Sequence, residues 1–191
     1  MKKAFVLIAE GFEEGESLET IDVLRRCGIE CCSVSINLNE VSGCNEIKII
    51  TDHTLDSFDP SDYDMVILPG GMPGAENLKN DARVIKIVKE FDEKKKYVCA
   101  ICAAPMVLKE AGITKGRILT SYPADKYRNM FEDSNYIDDE IVVVDDNLIT
   151  SRGPATVFPF AYILAKVLGG DIEQVQKKML YDKVVESYQN L

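Results

Sequence analysis

The sequence predicts an α/β fold: a three-layer sandwich whose mostly parallel sheet carries helices on both faces. Short apolar runs bounded by turn residues alternate with segments of helical period, the pattern of parallel strands crossed by helices. The runs are rich in Val, Ile and Leu, which suits strands buried on both faces. The sharpest Gly and Pro punctuation follows those runs, on one predicted edge of the sheet, where open parallel sheets bind their ligands.

Strands are expected at residues 4–9, 30–36, 65–68, 97–101 and 118–121. Residues 17–27 carry Leu18, Ile21 and Leu24 at helical spacing, and residues 81–94 carry Val84, Ile87, Val88 and Phe91, so both read as amphipathic helices. Residues 46–51 read as an edge strand, and residues 141–151 as an antiparallel hairpin turned at Asp146-Asn147. Residues 155–168 and 172–187 read as helices separated by Gly169-Gly170. No repeat, linker or low-complexity stretch divides the 191 residues, so one domain, 1–191, is expected.

Acidic residues outnumber Lys and Arg by 32 to 22, a formal charge of -10 that opposes binding to phosphate backbones and anionic lipid. Neither nucleic acid nor membrane is an expected partner. The opening M-K-K-A-F-V-L-I-A-E-G is cut short by Glu10 and reads as a first strand instead of an export signal. No apolar run approaches the roughly 20 residues of a membrane span. Six cysteines without an export signal point to reduced thiols and a cytoplasmic setting. The single histidine, His53, is far from any cysteine pair and the cysteine spacing is irregular, so no metal site is expected.

The stretch V-C-A-I-C-A-A-P, residues 98–105, carries the sharpest chemistry. Cys102 follows a strand and precedes a short helix at 105–110, whose Pro105 fits a first turn that needs no amide donor. Ala100 and Ala104 supply the small residues that a nucleophile elbow requires two before and two after the nucleophile. A thiol at a helix start meets unpaired amides, which favour the thiolate. Spacing alone is also compatible with Cys102 as a packing cysteine, and Cys99, inside the strand, fits that reading better. A thioredoxin-like couple would place both thiols at the helix start, which this spacing does not.

P-G-G-M-P-G, residues 69–74, lacks the fingerprint of a nucleotide loop. Gly70 and Gly71 instead permit close approach of a backbone amide to a reacting oxygen, with the Ala103 amide as the second donor of an oxyanion hole; a plain turn is the other reading. Glu10, Glu13, Glu14 and Glu16 crowd the first loop, as a solvated acidic helix start would. If one faces the thiol, the two share a proton, and a neutral glutamic acid donating to sulfur can serve as general acid and base without histidine.

A-E-G-F-E-E-G-E-S, D-V-L-R-R-C-G-I, Y-D-M-V-I-L-P-G-G-M-P-G-A-E-N-L, A-I-C-A-A-P and L-I-T-S-R-G-P-A-T span nearly the whole chain. In order and spacing they resemble the ThiJ/PfpI superfamily, in its parkinsonism-associated deglycase (DJ-one-like) branch. That resemblance implies a flavodoxin-like, class I glutamine amidotransferase-like sandwich and a homodimer without metal or organic cofactor. It implies that Cys102 is the oxidisable nucleophile and Glu16 the carboxylic acid bonded to it. Gly71 and Ala103 supply amides around the oxidised cysteine, Gly70 and Tyr122 line the pocket, and Arg152 lies near it.

The function so implied is a cysteine-dependent glyoxalase or deglycase acting on small aldehydes and dicarbonyls, with oxidative-stress protection. The alternative is a redox sensor or stress chaperone whose cysteine becomes a sulfinate. Tyr122 stands where the branch carries histidine, which weakens any histidine-assisted step and leaves proton transfer to Glu16. Glu46 stands where an arginine beside the pocket is expected, which weakens anion binding there. Peptidase members carry histidine after the nucleophile, where this chain has Ala103, and amidotransferases need a late histidine that this chain lacks, so neither activity is expected.

Overall fold

The apolar runs become strands and the amphipathic segments helices over residues 2–189, which the computed structural model describes. In chain order, β1 (Lys3–Ile8) leads through α1 (Glu14–Arg26) to β2 (Glu30–Ser35). A hairpin of β3 (Glu40–Ser42) and β4 (Lys48–Ile50) follows, then the two-residue β5 (His53–Thr54). β6 (Met65–Leu68) is followed by α2 (Gly74–Asn80) and α3 (Ala82–Glu93), and β7 (Tyr97–Ile101) by α4 (Pro105–Glu110). β8 (Ile118–Leu119), α5 (Asp125–Arg128), β9 (Asn135–Tyr136), β10 (Val142–Asp145) and β11 (Leu148–Ser151) come next. The chain ends in α6 (Val157–Val167), α7 (Ile172–Lys178) and α8 (Tyr181–Gln189).

Seven strands form one sheet in the order β10-β11-β7-β6-β1-β2-β5, parallel except at the β10 edge. Because side chains alternate across a strand, each strand feeds two cores. Phe5, Leu7, Val66, Leu68, Val98 and Ala100 pack with Leu78, Val84, Val88, Phe91 and Val107 from α2, α3 and α4. Their neighbours Ala4, Val6, Ile8, Met65, Ile67, Cys99 and Ile101 pack the other way, with Ile21 and Leu24 of α1 and Phe160 and Leu164 of α6. The result is the expected three-layer sandwich. Each large apolar side chain removed from water contributes about 1.5–3 kcal/mol, against about 0–1 kcal/mol for an exposed ion pair, so the two apolar layers hold the sheet.

Several expectations change. Residues 118–121 do not enter the sheet: β8 pairs with β9 in a separate ladder, and β11 takes the place beside β7. The Thr120 amide donates to the Thr150 hydroxyl (2.9 Å) instead of a strand carbonyl. Residues 46–51 are strand only at Lys48–Ile50, paired with β3 off the main sheet, because Glu46 turns that hairpin at φ 66°. The real edge is β5. The helix expected at 172–187 is two, broken where Leu180 takes φ 59°. α2 and α5 lie outside the expected helices, being short and without an amphipathic period. The Asp146-Asn147 turn joins β10 to β11 as expected. Among the described residues no helix is long and apolar enough to cross a membrane.

Candidate active site

β7 stops at Ile101 and α4 starts with Pro105 in its first turn, so three residues must reverse the chain. Cys102 absorbs the reversal at φ 63°, a left-handed conformation that costs a residue with a β-carbon about 1–2 kcal/mol. Ala100, Ala103 and Ala104 are buried around it and leave room for the bend. The Cys102 amide donates to the Ser151 carbonyl (3.1 Å) at the end of β11, and its own carbonyl accepts the Tyr122 amide (2.8 Å). Strain held in place from both sides in this way is characteristic of functional turns. The thiol is half-buried and touches both core layers.

Glu16 reaches this thiol from the first turn of α1, where it is 1% exposed. Glu13 caps the helix, its carboxylate accepting the Glu16 amide at 2.6 Å, and the Thr20 hydroxyl donates to the Glu16 carbonyl at 2.6 Å. The Gly70 amide donates to Glu16 Oε2 at 2.7 Å. Oε1 is sealed from solvent with no conventional hydrogen-bond partner among the described residues, and the carboxyl interacts with the Cys102 thiol. Burial raises the Glu16 pKa to about 7, with the Glu13 carboxylate adding to the rise and the Gly70 amide and Cys102 opposing it.

The thiol does not show the lowering expected at a helix start. Burial and then the Glu16 carboxylate push Cys102 up, while the Ala103 and Gly71 amides that face its sulfur pull it down. Loss of hydration and an adjacent anion outweigh two amide dipoles. The two groups therefore titrate as a pair, in which thiol with carboxylate and thiolate with carboxylic acid are the two one-proton forms. An O–H on the otherwise unpaired Oε1 suits the second form.

The closeness of the pair dictates two glycines. A β-carbon on Gly70 would lie 2.7 Å from Cys102 Cβ and 2.8 Å from Glu16 Oε2. Gly71 takes φ 84°, and its β-carbon would lie 2.3 Å from the Glu13 amide nitrogen.

Cys102, Glu16, Gly70, Gly71 and Ala103 thus converge on one point. Tyr122 joins them through its backbone, while its side chain is 42% exposed and stacks edge-on against Tyr127 at 6.1 Å. Arg152 lies on the loop beside the elbow, with its guanidinium engaged. Its guanidinium is taken by Asp138, through the main-chain carbonyl and through Oδ1 at 2.9 Å. Glu46 is an exposed turn residue, and the segment around it is organised by Glu14, which accepts the Asn45 amide (2.8 Å), Asn45 Nδ2 (2.9 Å) and the Ile47 amide (3.3 Å). The Glu13 cap, the Glu14 anchor, the Ser151 carbonyl and Asp138 are additions that spacing did not single out. All six cysteines are free; Cys31 and Cys99 are buried, and Cys44 is exposed.

A strained cysteine elbow with a buried carboxyl beside it, at the carboxyl edge of a parallel sheet, places the molecule among α/β proteins whose candidate site lies at a sheet-edge turn. Residues 2–167 match the DJ-1/PfpI family, and the chain belongs to it. It is 37% identical over 182 residues to "Protein dj-1beta" of Drosophila melanogaster, covering 94% of this chain and 97% of that one. The crystal structure of that protein superposes with a TM-score of 0.89 at 36% identity, over 94% of this chain and 97% of the other. The "Parkinson disease protein 7 homolog" of Danio rerio is 37% identical over 171 residues, 88% of this chain and 90% of the relative. An oxidized Toxoplasma gondii DJ-1 structure gives a TM-score of 0.88 at 29% identity, covering 94% and 98% of the two chains.

Proposed function

We propose that the protein is a cofactor-free, cysteine-dependent enzyme of glyoxalase or deglycase type acting on small dicarbonyls. The observation that carries this is the half-buried Cys102 thiol against the buried carboxyl of Glu16, whose pKa is lifted to about 7. A general acid and base is most effective when its pKa lies near the working pH.

With methylglyoxal, the Cys102 thiolate adds to the aldehyde carbon, and the oxygen takes the Glu16 proton to give a hemithioacetal beside the Gly71 and Ala103 amides. Glu16 carboxylate removes the proton from that carbon and returns it to the neighbouring carbonyl carbon, while the hydroxyl proton passes to that carbonyl's oxygen, leaving a thioester. Water cleaves the thioester to lactate and restores the thiol. The net change is addition of one water, with the aldehyde carbon oxidised and the ketone carbon reduced, so no external redox partner enters. Purified protein is expected to convert methylglyoxal to lactate, and Cys102→Ser to lose at least about 99% of that rate; lactate formation at the wild-type rate by the variant would refute the reading.

A second reading is favoured by a different feature: the two amides facing sulfur also suit the oxygens of a sulfinate, and one related structure is described as oxidized. Here Cys102 is a stress-sensing thiol and turnover is incidental. Cys44 is the natural control, being an exposed thiol that donates to the Glu14 carboxylate (3.6 Å) away from the elbow. Graded peroxide followed by intact and peptide mass measurement should add two oxygens at Cys102 before Cys44 reacts. Selective oxidation without lactate formation would favour the sensor.

In either reading we infer a cytoplasmic homodimer. Leu18 on α1 and Ile47 and Ile50 of the β3–β4 hairpin, 40%, 54% and 79% exposed, are apolar side chains in keeping with self-association.

A further inference from the structure

Arg152, on the loop beside the Cys102 elbow, and Arg128 together hold a carboxylate that belongs to the chain itself. Arg152 follows Ser151, whose carbonyl accepts the Cys102 amide, and Gly153 lies against the Tyr122 ring, so this loop borders the elbow directly. Arg152 Nη2 donates to Asp138 Oδ1 (2.9 Å), while Arg128 Nη2 donates to Oδ2 (2.6 Å). One carboxylate thus bridges two guanidinium groups, each taking one oxygen. The Arg152 side chain is only 16% exposed, so its charge is poorly compensated by water and strongly dependent on Asp138. Arg128 is less occupied: its Nη1 reaches Asp125 only at 3.5 Å, and its Nε is buried without a partner among the described residues.

A clamp of two arginines around a planar carboxylate is the arrangement that would receive a carboxylate-bearing substrate. Asp138 already fills it, in a chain of net charge -10 whose thiol is flanked by Glu16. We propose that Asp138 is a specificity residue: as an internal carboxylate it neutralises Arg152 and Arg128 and turns the Cys102 site toward uncharged electrophiles, against those bearing a carboxylate. Removing its charge without changing its shape exposes an anion site one loop away from the sulfur. The inference rests on Cys102 being the reacting thiol and extends the dicarbonyl reading to uncharged dicarbonyls.

The test uses two alkylating agents that differ in charge at nearly equal size, iodoacetamide and iodoacetate. The rate ratio at Cys102, read by peptide mass and normalised to free cysteine, removes intrinsic reactivity. Asp138→Asn is expected to raise the iodoacetate-to-iodoacetamide ratio about tenfold, and Asp138→Asn combined with Arg152→Gln to return it to the wild-type value. Asp138→Ser serves as the second single variant should the first accumulate poorly. A ratio within twofold of wild type in both single variants overturns the proposal, as does a rise that survives loss of Arg152. Methylglyoxal and 4,5-dioxopentanoate, a neutral and an anionic 2-oxoaldehyde, give the turnover counterpart: kcat/KM should shift toward 4,5-dioxopentanoate in Asp138→Asn. If the alkylation ratio moves while no variant turns over either aldehyde, the dicarbonyl reading fails and the role of Asp138 stands.

Discussion

Glu16→Gln is expected to lower kcat/KM for methylglyoxal by roughly a thousandfold and to remove its pH dependence near neutrality. The amide has the shape of the acid, and its oxygen can still accept the Gly70 amide that now bonds Oε2 at 2.7 Å. What it cannot do is give up or receive the proton that the pair shares. The wild-type profile should bend near pH 7, where the buried Glu16 carboxyl titrates. Below it both groups hold their protons and no thiolate is present; above it the pair holds the single proton from which thiolate with carboxylic acid arises, so turnover should rise through this range.

The same shift has a consequence for stability, opposite in sign to the rise in turnover. A carboxyl that titrates near 4.5 when unfolded and near 7 when folded keeps its proton longer in the native state. Its favourable share is present in full below pH 4.5 and is lost as the pH rises through 7, by about 3 kcal/mol for a shift of this size. The glutamine side chain of the variant has no proton to lose. Urea unfolding should therefore show Glu16→Gln gaining on wild type between pH 4.5 and about 8, while its turnover stays low throughout. Equal activity in the two proteins, or a stability difference that does not change with pH, would remove Glu16 from the proposed chemistry.

The fold was legible because parallel strands and their helices are written in local pattern. Val66 to Leu68 and Val98 to Ile101 are apolar on both pleat faces, and the two cores they feed are fully buried on either side of the sheet. The elbow was legible for a related reason: a cysteine between a strand and Pro105, flanked by alanines, constrains the backbone locally, and Cys102 does take the left-handed bend. Four glutamates in seven residues were equally visible, but which one is buried depends on which face of α1 meets the sheet. Glu14 and Glu16 are 4% and 1% exposed, each satisfied or perturbed by loops 30 or more residues away. Charge at such distance leaves no periodic trace. The fate of Arg152 was hidden in the same way, because Asp138 belongs to a loop with no pattern to place it. The misassigned strand at 118–121 marks the limit from the other side: its apolar run suits a strand, and only competition with β11 for the edge of β7 decides against it.

Gly71→Ala is the substitution expected to damage the molecule most per atom added. Alanine at φ 84° costs about 1 kcal/mol for the left-handed backbone alone. Its β-carbon would also lie 2.3 Å from the Glu13 nitrogen, 2.6 Å from the Gly11 oxygen and 2.6 Å from the Phe12 carbonyl carbon. These are main-chain atoms, so no rotamer change relieves the overlap, and residues 11–13 must move as a unit. Glu13 caps α1 by accepting the Glu16 amide and donates its own amide to Gly70, so that movement carries Glu16 away from the sulfur.

A loss of about 3–5 kcal/mol is expected, which in a chain of this size lowers Tm by roughly 10 °C. Gly28→Ala separates the two causes. Its φ is 78°, but nothing lies within 4 Å of the added carbon, so only the backbone cost applies and about 1 kcal/mol should be lost. Thermal unfolding of the two variants, with the alkylation rate of Cys102 in each, decides the matter. The Gly71 variant should lose stability and alter the thiol's reactivity, whereas the Gly28 variant should show only the small stability loss. Equal Tm values would mean that the glycine loop yields freely, and that the contact between Glu16 and Cys102 is not held by the close packing of residues 11–13 against residues 70–71.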